Sequence, residues 1–364
     1  WFQILQTRME TGEPYLINID NCNAALPEEQ KKLGLEIKQS NLCSEITLPT
    51  NEERTAVCCL SSVNLEHFDE WSKVDTFIPD LITMLDNVLQ NFIDGVAGQS
   101  GYSKAAYSAM RERSVGLGAM GFHSYLQKNN IAFESMYASS FNNKAFSYIK
   151  DRASATTRKL AEERGEAPDM KGSGKRNAHL LAIAPNASSS IICGGTSPSI
   201  EPNRANVYTH KTLTGSFKVK NKYLDDLLLE LVPSKKKRDE IWKDIAAHEG
   251  SVQHLDILSD AQKEMFKTAP EINQIWIIEH AAMRQKYVCQ SQSVNLFFKT
   301  PSIEADQETH DVFLQYLNDV HWAGIHKLKS LYYLRSNAAR NTENVNIKIP
   351  KINLEEEGCL SCEG

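Results

Sequence analysis

The stretch RTAVCCLSSVNL, residues 54–65, is β-branched and apolar between polar flanks, which is the make-up of a strand. Residues 69–96, DEWSKVDTFIPDLITMLDNVLQNFIDGV, then space their apolar side chains with the helical period, and Pro79 sits near a helix start. A strand feeding a long helix is the unit of α/β folds with parallel strands. The alternation continues outward. PYLINI (14–19) reads as a strand, and 1–10, 103–128 and 140–164 read as helices. His179–Ala184 is a short apolar strand that runs into Pro185 and a serine cluster. From about 235 to 288 the pattern is helical again, and 308–331 is a last amphipathic helix. No internal repeat or low-complexity stretch interrupts it. After Ser336 the chain turns polar and ends on EEEGCLSC (355–362), the composition of a flexible tail.

The 364 residues suffice for one large domain or two ordinary ones. A formal net charge of -6 argues against a nucleic-acid binder that works through bulk positive charge. No apolar run approaches the roughly 20 residues of a membrane span, and no signal peptide is recognisable. The expectation is a cytoplasmic enzyme with no membrane or nucleic-acid partner. Eight cysteines, at 22, 43, 58, 59, 193, 289, 359 and 362, are too few for a disulfide scaffold. None has zinc-finger spacing with histidine, so no structural metal is expected. Trp1–Glu10 already reads as part of a helix, so the chain is expected to be part of a longer one; a split gene, processing or a chosen boundary would each produce it.

Three signals carry little. Gly116-Leu117-Gly118-Ala119-Met120-Gly121 matches the dinucleotide fingerprint literally, but helical sequence precedes it where the fingerprint needs a strand. Close backbone packing is the better reading. Lys235-Lys236-Lys237-Arg238 is followed directly by Asp239 and Glu240, as at a solvated helix start. Asn186-Ala187-Ser188 fits the glycosylation pattern in a chain without a secretion signal.

Five groups could carry chemistry. In Ser40–Ile46, if the segment is extended, Asn41, Cys43 and Glu45 line one face and offer an amide, a thiol and a carboxylate to one ligand; a surface loop is the plain alternative. Cys58 and Cys59, adjacent in a strand, face opposite sides of the sheet, so only one can share a cavity with Cys43 while the other packs as a small hydrophobe. Asn186, Ala187, Ser188 and Ser189 follow a strand and Pro185; a helix beginning there would present free N–H groups to a phosphate, or be merely serine-capped. Tyr332-Tyr333 ends the last helix as packing, or as a stacked pair able to relay a radical. Cys359 and Cys362 on the acidic tail suit thiol–disulfide exchange, a metal half-site, or neither.

Their order is more specific than any of them. Asn41-x-Cys43-x-Glu45, a strand cysteine some 15 residues on, the proline–serine loop, the tyrosine pair and the tail dithiol together resemble the large (alpha, catalytic) subunit of oxygen-dependent, class I ribonucleotide reductases. The resemblance also takes in Thr11-Gly12, Asn18-x-Asp20-x-Cys22-Asn23, Ser40–Thr50 and Ser199-Ile200-Glu201-Pro202. It implies an α/β fold in which residues 1–336 form the C-terminal part of a ten-stranded α/β barrel, with a central finger loop at about 38–50 and a redox-active tail at 337–364. It implies that Cys43 becomes a thiyl radical, that Glu45 is general base on the 3′ hydroxyl, and that Asn41 holds the ribose. Cys58 would be one of the reducing pair, and the backbone from Asn186 to Ser189 would cradle phosphates. Tyr332 and Tyr333 would carry the radical from a metal-containing small (beta) subunit. Cys359 and Cys362 would reduce the active-site disulfide and be recharged by thioredoxin or glutaredoxin. The chain itself would bind no cofactor directly, and the substrate would be a ribonucleotide, with the tyrosine pair and tail favouring diphosphates.

The resemblance also exposes departures. The second reducing cysteine of the family sits upstream of the finger loop, and no cysteine here matches it. Most nucleotide effector sites lie in that upstream part too, so an N-terminal portion of the large subunit is an expected partner. The tail cysteines are closer together than in some relatives. Two alternatives remain: a cobalamin-dependent reductase, against which the tyrosine pair argues, and a non-catalytic fragment that only binds partner subunits or nucleotide.

Overall fold

The computed structural model describes residues 1–212, 215–302 and 304–337. Its strands are β1 (Leu16–Ile17), β2 (Cys59–Asn64), β3 (Val115–Met120), β4 (Val207–Thr212), β5 (Gly215–Lys220), β6 (Leu296–Phe298), β7 (Ser330–Leu331) and β8 (Leu334–Ser336). β2 and β3 are parallel, with Cys59 opposite Val115 and Asn64 opposite Met120. Single parallel bridges, Leu117 with Leu181 and Ile183 with Gln292, extend this ladder through 179–184 to the segment that becomes β6. β6 pairs in parallel with β8. Five extended segments therefore lie side by side in chain order, and helices form the crossovers. That is the α/β arrangement expected from the strand–helix alternation.

The helix Phe77–Gly95 shows why these crossovers pack. Ile78, Ile82, Leu85 and Leu89 recur at helical spacing and are buried, each worth about 1.5–3 kcal/mol of transfer free energy. They join the main core with Phe68, Phe122, Phe141 and Phe146. Asp86 lies on the same buried side, where Arg113 holds it at 2.9 Å. A satellite core gathers Leu224, Leu228, Trp242, Ile245, Val252 and Phe266. Among the described residues no helix is long and apolar enough to cross a membrane.

Three expectations need correction. Residues 103–128 are not one helix: the helix Ser103–Glu112 ends with Arg113 in the left-handed region, and β3 follows before the helix Phe122–Lys128. Leu, Ala and Met suggested helix, but every residue of β3 is buried, and such a strand has no polar alternation to reveal it. The span 235–288 breaks into the helices Lys235–Ala247, Asp260–Met265 and Gln274–Gln285, and the antiparallel pair β4–β5 ahead of it was not foreseen. The last helix stops at Lys327, and 328–331 is already extended. The ladder is open, with no closed sheet among the described residues.

The glycines of GLGAMG do what close packing requires. A Cβ on Gly116 would stand 3.1 Å from the Cys58 Sγ, and one on Gly118 would stand 2.5 Å from the Ala182 carbonyl oxygen. The second obstacle is backbone and cannot rotate away. Gly118→Ala should lower stability by about 1–3 kcal/mol through strain in the ladder. A chemical denaturation midpoint equal to that of the wild-type chain would contradict this packing.

Candidate active site

The loop between the helix Glu28–Lys32 and β2 is held against the polar face of the ladder. It is not extended at its centre. Ser44 has φ 65°, its N–H bonds to the Asn41 carbonyl, and the Ile46 N–H bonds to Asn41 Oδ1. The one-face reading of Asn41, Cys43 and Glu45 is therefore replaced by a tight turn. That turn leaves Asn41 exposed while Cys43 and Glu45 are buried. The Asn41 amide still reaches the Glu45 carboxylate.

Three serines fasten the turn. Ser293 Oγ donates to the Cys43 carbonyl at 2.5 Å and lies 3.3 Å from Glu45 Oε2. Ser330 Oγ donates to the Ser44 carbonyl at 2.9 Å, and the Ser291 N–H to the Glu45 carbonyl at 2.8 Å. Burial pushes the Glu45 carboxyl above the ordinary range, and the hydrogen bonds from Asn41 and Ser293 offset this only in part. The result is a carboxylate with raised basicity beside a buried thiol.

Cys58 and Cys59 divide as adjacent strand residues should. Cys58 packs with Ile46 and Leu48 of the loop, whereas Cys59 packs against the main core. Gln290 Nε2 donates to Cys58 Sγ at 3.4 Å. Burial raises the Cys58 thiol well above its usual value, so it stays protonated.

Tyr332 and Tyr333 do not end a helix; they sit in extended chain between β7 and β8. The reason is pairing: the Tyr332 N–H bonds to the Val294 carbonyl, and the Tyr333 carbonyl accepts from the Leu296 N–H. Tyr332 Oη donates to Cys43 Sγ at 3.5 Å, and the two rings are 4.5 Å apart at an interplanar angle of 57°. Burial is the largest cause that lifts the Tyr332 phenol above its ordinary value. Tyr15, which sequence reasoning passed over, completes a triangle with ring centroids 4.6 Å from Tyr332 and 4.8 Å from Tyr333. The Arg335 guanidinium covers Tyr333 at 4.2 Å.

Asn186 has φ 55° and precedes the short helix Ala187–Ile192. Its side chain is occupied: Oδ1 accepts from Ser62 at 3.1 Å and Nδ2 donates to the Ala184 carbonyl at 3.0 Å. The first N–H groups of that helix, from Ala187 to Ser189, are the ones a helix leaves without internal partners. Cys359 and Cys362 lie outside the described residues.

The serines, Gln290 and Tyr15 were missed, but one signal was present. Five of the six residues of QSQSVN (290–295) are polar, yet all six are buried, in the chain that leads into the strand LFF. A run of polar residues leading into an apolar strand marks a face that serves a polar partner.

With this geometry in place, comparison with known proteins is decisive. The family model described as "Ribonucleotide reductase, barrel domain" matches residues 1–175 and 169–334. The chain belongs to that family. It is 48% identical over 366 aligned residues to the ribonucleoside-diphosphate reductase large subunit of Invertebrate iridescent virus 3, covering 100% of the chain and 56% of the relative. It is 46% identical to the putative large subunit of Frog virus 3 (isolate Goorha), of which it covers 62%. Among solved structures, the class Id ribonucleotide reductase alpha subunit of Actinobacillus ureae superposes with a TM-score of 0.82 at 40% identity, over 94% of this chain and 62% of that one. The reductase-family chain thus spans little more than half the length of these two viral relatives.

One further acid belongs to the region. Glu201 is buried and accepts from Asn295 Nδ2 at 2.5 Å, while Asn295 Oδ1 accepts the Tyr333 N–H at 3.0 Å. Burial raises its carboxyl to about 7. The folded state then holds a proton that the unfolded state has released, so stability falls as pH rises from about 4.5 to 7 and levels off above. Glu201→Gln keeps the acceptor and removes the titration. Its stability relative to the wild-type chain should rise over that window by up to about 3 kcal/mol, read from denaturation midpoints at each pH. A difference that does not change with pH would contradict the assignment.

Proposed function

We propose that this chain carries the radical chemistry that reduces ribonucleotides, with diphosphates as the favoured substrates, to deoxyribonucleotides. The observation that carries the reading is the contact of Tyr332 Oη with Cys43 Sγ, with the Tyr333 ring packed against that of Tyr332. A tyrosine that stays protonated loses its electron and proton together, and the neighbouring thiol can return both. The tyrosine pair then carries the radical in from a small subunit, whose metal centre supplies the oxidising equivalent.

The remaining roles follow from chemistry. Loss of the 2′ oxygen requires a one-electron oxidised sugar, a proton donor and two reducing equivalents. The Cys43 thiyl takes the 3′ hydrogen, and Glu45, made more basic by burial, accepts the 3′ hydroxyl proton. Asn41 orients the ribose hydroxyls. Cys58, kept protonated by burial, protonates the departing oxygen and becomes half of a disulfide. The N–H groups from Ala187 to Ser189, positioned by Asn186, face the phosphates. Cys359 and Cys362 then exchange with the disulfide, recharged by a thioredoxin or glutaredoxin. Exclusion of water protects such a radical, consistent with burial of Cys43 and Tyr332.

A second cysteine must still meet Cys58. β2 is the outer strand of the described ladder, and its Leu60 is 42% exposed. An open edge next to Cys58 suits pairing with further strands. In this reading an N-terminal large-subunit portion supplies the partner cysteine there, closes the ten-stranded barrel around the loop and brings the main effector sites.

Cys43→Ser should abolish turnover of the assembled enzyme, measured as deoxynucleotide formed, while the circular dichroism spectrum stays unchanged. Retained activity would sink the mechanism and favour a binding role. Tyr332→Phe and Tyr333→Phe should each reduce turnover to background with nucleotide binding near normal. Turnover at the wild-type rate in either would remove the relay.

A further inference from the structure

Far from the thiols in sequence, the satellite core presents a group of metal-ligating side chains that the reductase chemistry does not use. The helix Lys235–Ala247 carries Asp244 near its C-terminal end, and His248 follows one turn later. Glu249, at φ 56°, and Gly250, at φ 87°, then reverse the chain and bring His254 back over the helix end. The Asp244 carboxylate contacts both imidazoles at their edges. Its Oδ2 is 2.9 Å from His254 Nε2, and its Oδ1 is 3.3 Å from His248 Nδ1. One ligand atom from each of the three residues lies within 4.8 Å of the others. The two rings face one another with centroids 3.7 Å apart. His248 Nδ1 is also 2.9 Å from the Asp244 carbonyl oxygen.

These separations have a chemical scale. Donor atoms bound tetrahedrally to Zn2+ at about 2.0–2.1 Å stand roughly 3.3 Å from one another. The carboxylate–imidazole distances are already close to that value, and rotation of the exposed rings out of their stack, with release of His248 Nδ1 from the Asp244 carbonyl, turns both imidazoles toward one ion. The frame is fixed from both sides by independent packing. Trp242 and Ile245 anchor the helix in the satellite core, and Val252 and Leu255 anchor the returning segment. A Cβ at Gly250 would stand 2.5 Å from the Ala205 Cβ, so the turn between the halves is held by close approach. The three side chains themselves are exposed and open to an ion from solution.

We propose that Asp244, His248 and His254 form a peripheral site for a divalent transition-metal ion of borderline softness, of which Zn2+ is the type. Two imidazoles and one carboxylate fit such an ion, and the outward side leaves a fourth position for water. The ion clips the end of the helix to the segment after it and stabilises the folded satellite unit. It takes no part in nucleotide reduction, and the site stands whether or not the reductase reading does.

The test is calorimetric titration of the full chain with Zn2+ in chelator-treated buffer. Cys359→Ser and Cys362→Ser are introduced into every sample so that the tail dithiol does not compete. The expected result is one Zn2+ per chain at this site and a rise in melting temperature. His254→Ala and His248→Ala should each weaken binding by about tenfold or more, and Asp244→Asn, of nearly the same size, should weaken it likewise. Absence of Zn2+ binding, or binding of equal affinity and stoichiometry in all three variants, overturns the proposal.

Discussion

The hydroxyls of Ser293 and Ser330 and the Ser291 N–H hold three consecutive carbonyls of one loop, those of Cys43, Ser44 and Glu45. The site depends on this clamp. Loop backbone away from water must find partners or cost free energy comparable to a lost hydrogen bond for each orphaned group. Here the partners come from strands whose own positions are set by the ladder. Ser291 Oγ and Ser330 Oγ also contact each other at 2.7 Å, which ties the 290–298 segment to β7 at the loop. A thiol, a carboxylate and a tyrosine hydroxyl are thus fixed by rigid elements, although the thiol and carboxylate sit on irregular chain.

The environment tunes the groups in one direction. Glu45, Cys58 and Tyr332 are all pushed toward their neutral forms, chiefly by burial. Burial keeps the proton on Cys58 and Tyr332, and it makes the Glu45 carboxylate, once ionised, the stronger base. The outer face of the ladder is apolar and packed by helices, whereas its inner face carries Gln290, Ser291, Ser293 and Asn295. One sheet therefore borders the apolar core on one side and a buried polar cluster on the other.

Much of this was legible in the sequence. The alternation of strand and helix gave the α/β class. The parity of Cys58 and Cys59 placed them on opposite faces, because side-chain alternation in a strand is strictly geometric. The glycines of 116–121 read correctly as close packing, yet the strand containing them did not read as a strand, since residues buried on both faces lose the alternation that identifies one. The tyrosine pair was found but placed on a helix; what holds it extended is pairing with Val294 and Leu296, contacts far away in sequence. Tyr15 lies 317 residues from Tyr332 and had no local signal at all. The turn at Ser44 was likewise invisible, because it is imposed by the clamp.

The central claim is that Tyr332 passes an electron and a proton to or from Cys43 across their contact. The most direct test replaces Tyr332 with a tyrosine analogue that is easier to oxidise, then follows the assembled enzyme with substrate and small subunit by freeze-quench electron paramagnetic resonance. The account predicts a radical localised on residue 332 that accumulates as the small-subunit radical is lost. Loss of the small-subunit radical and formation of product with no signal at position 332 would contradict it.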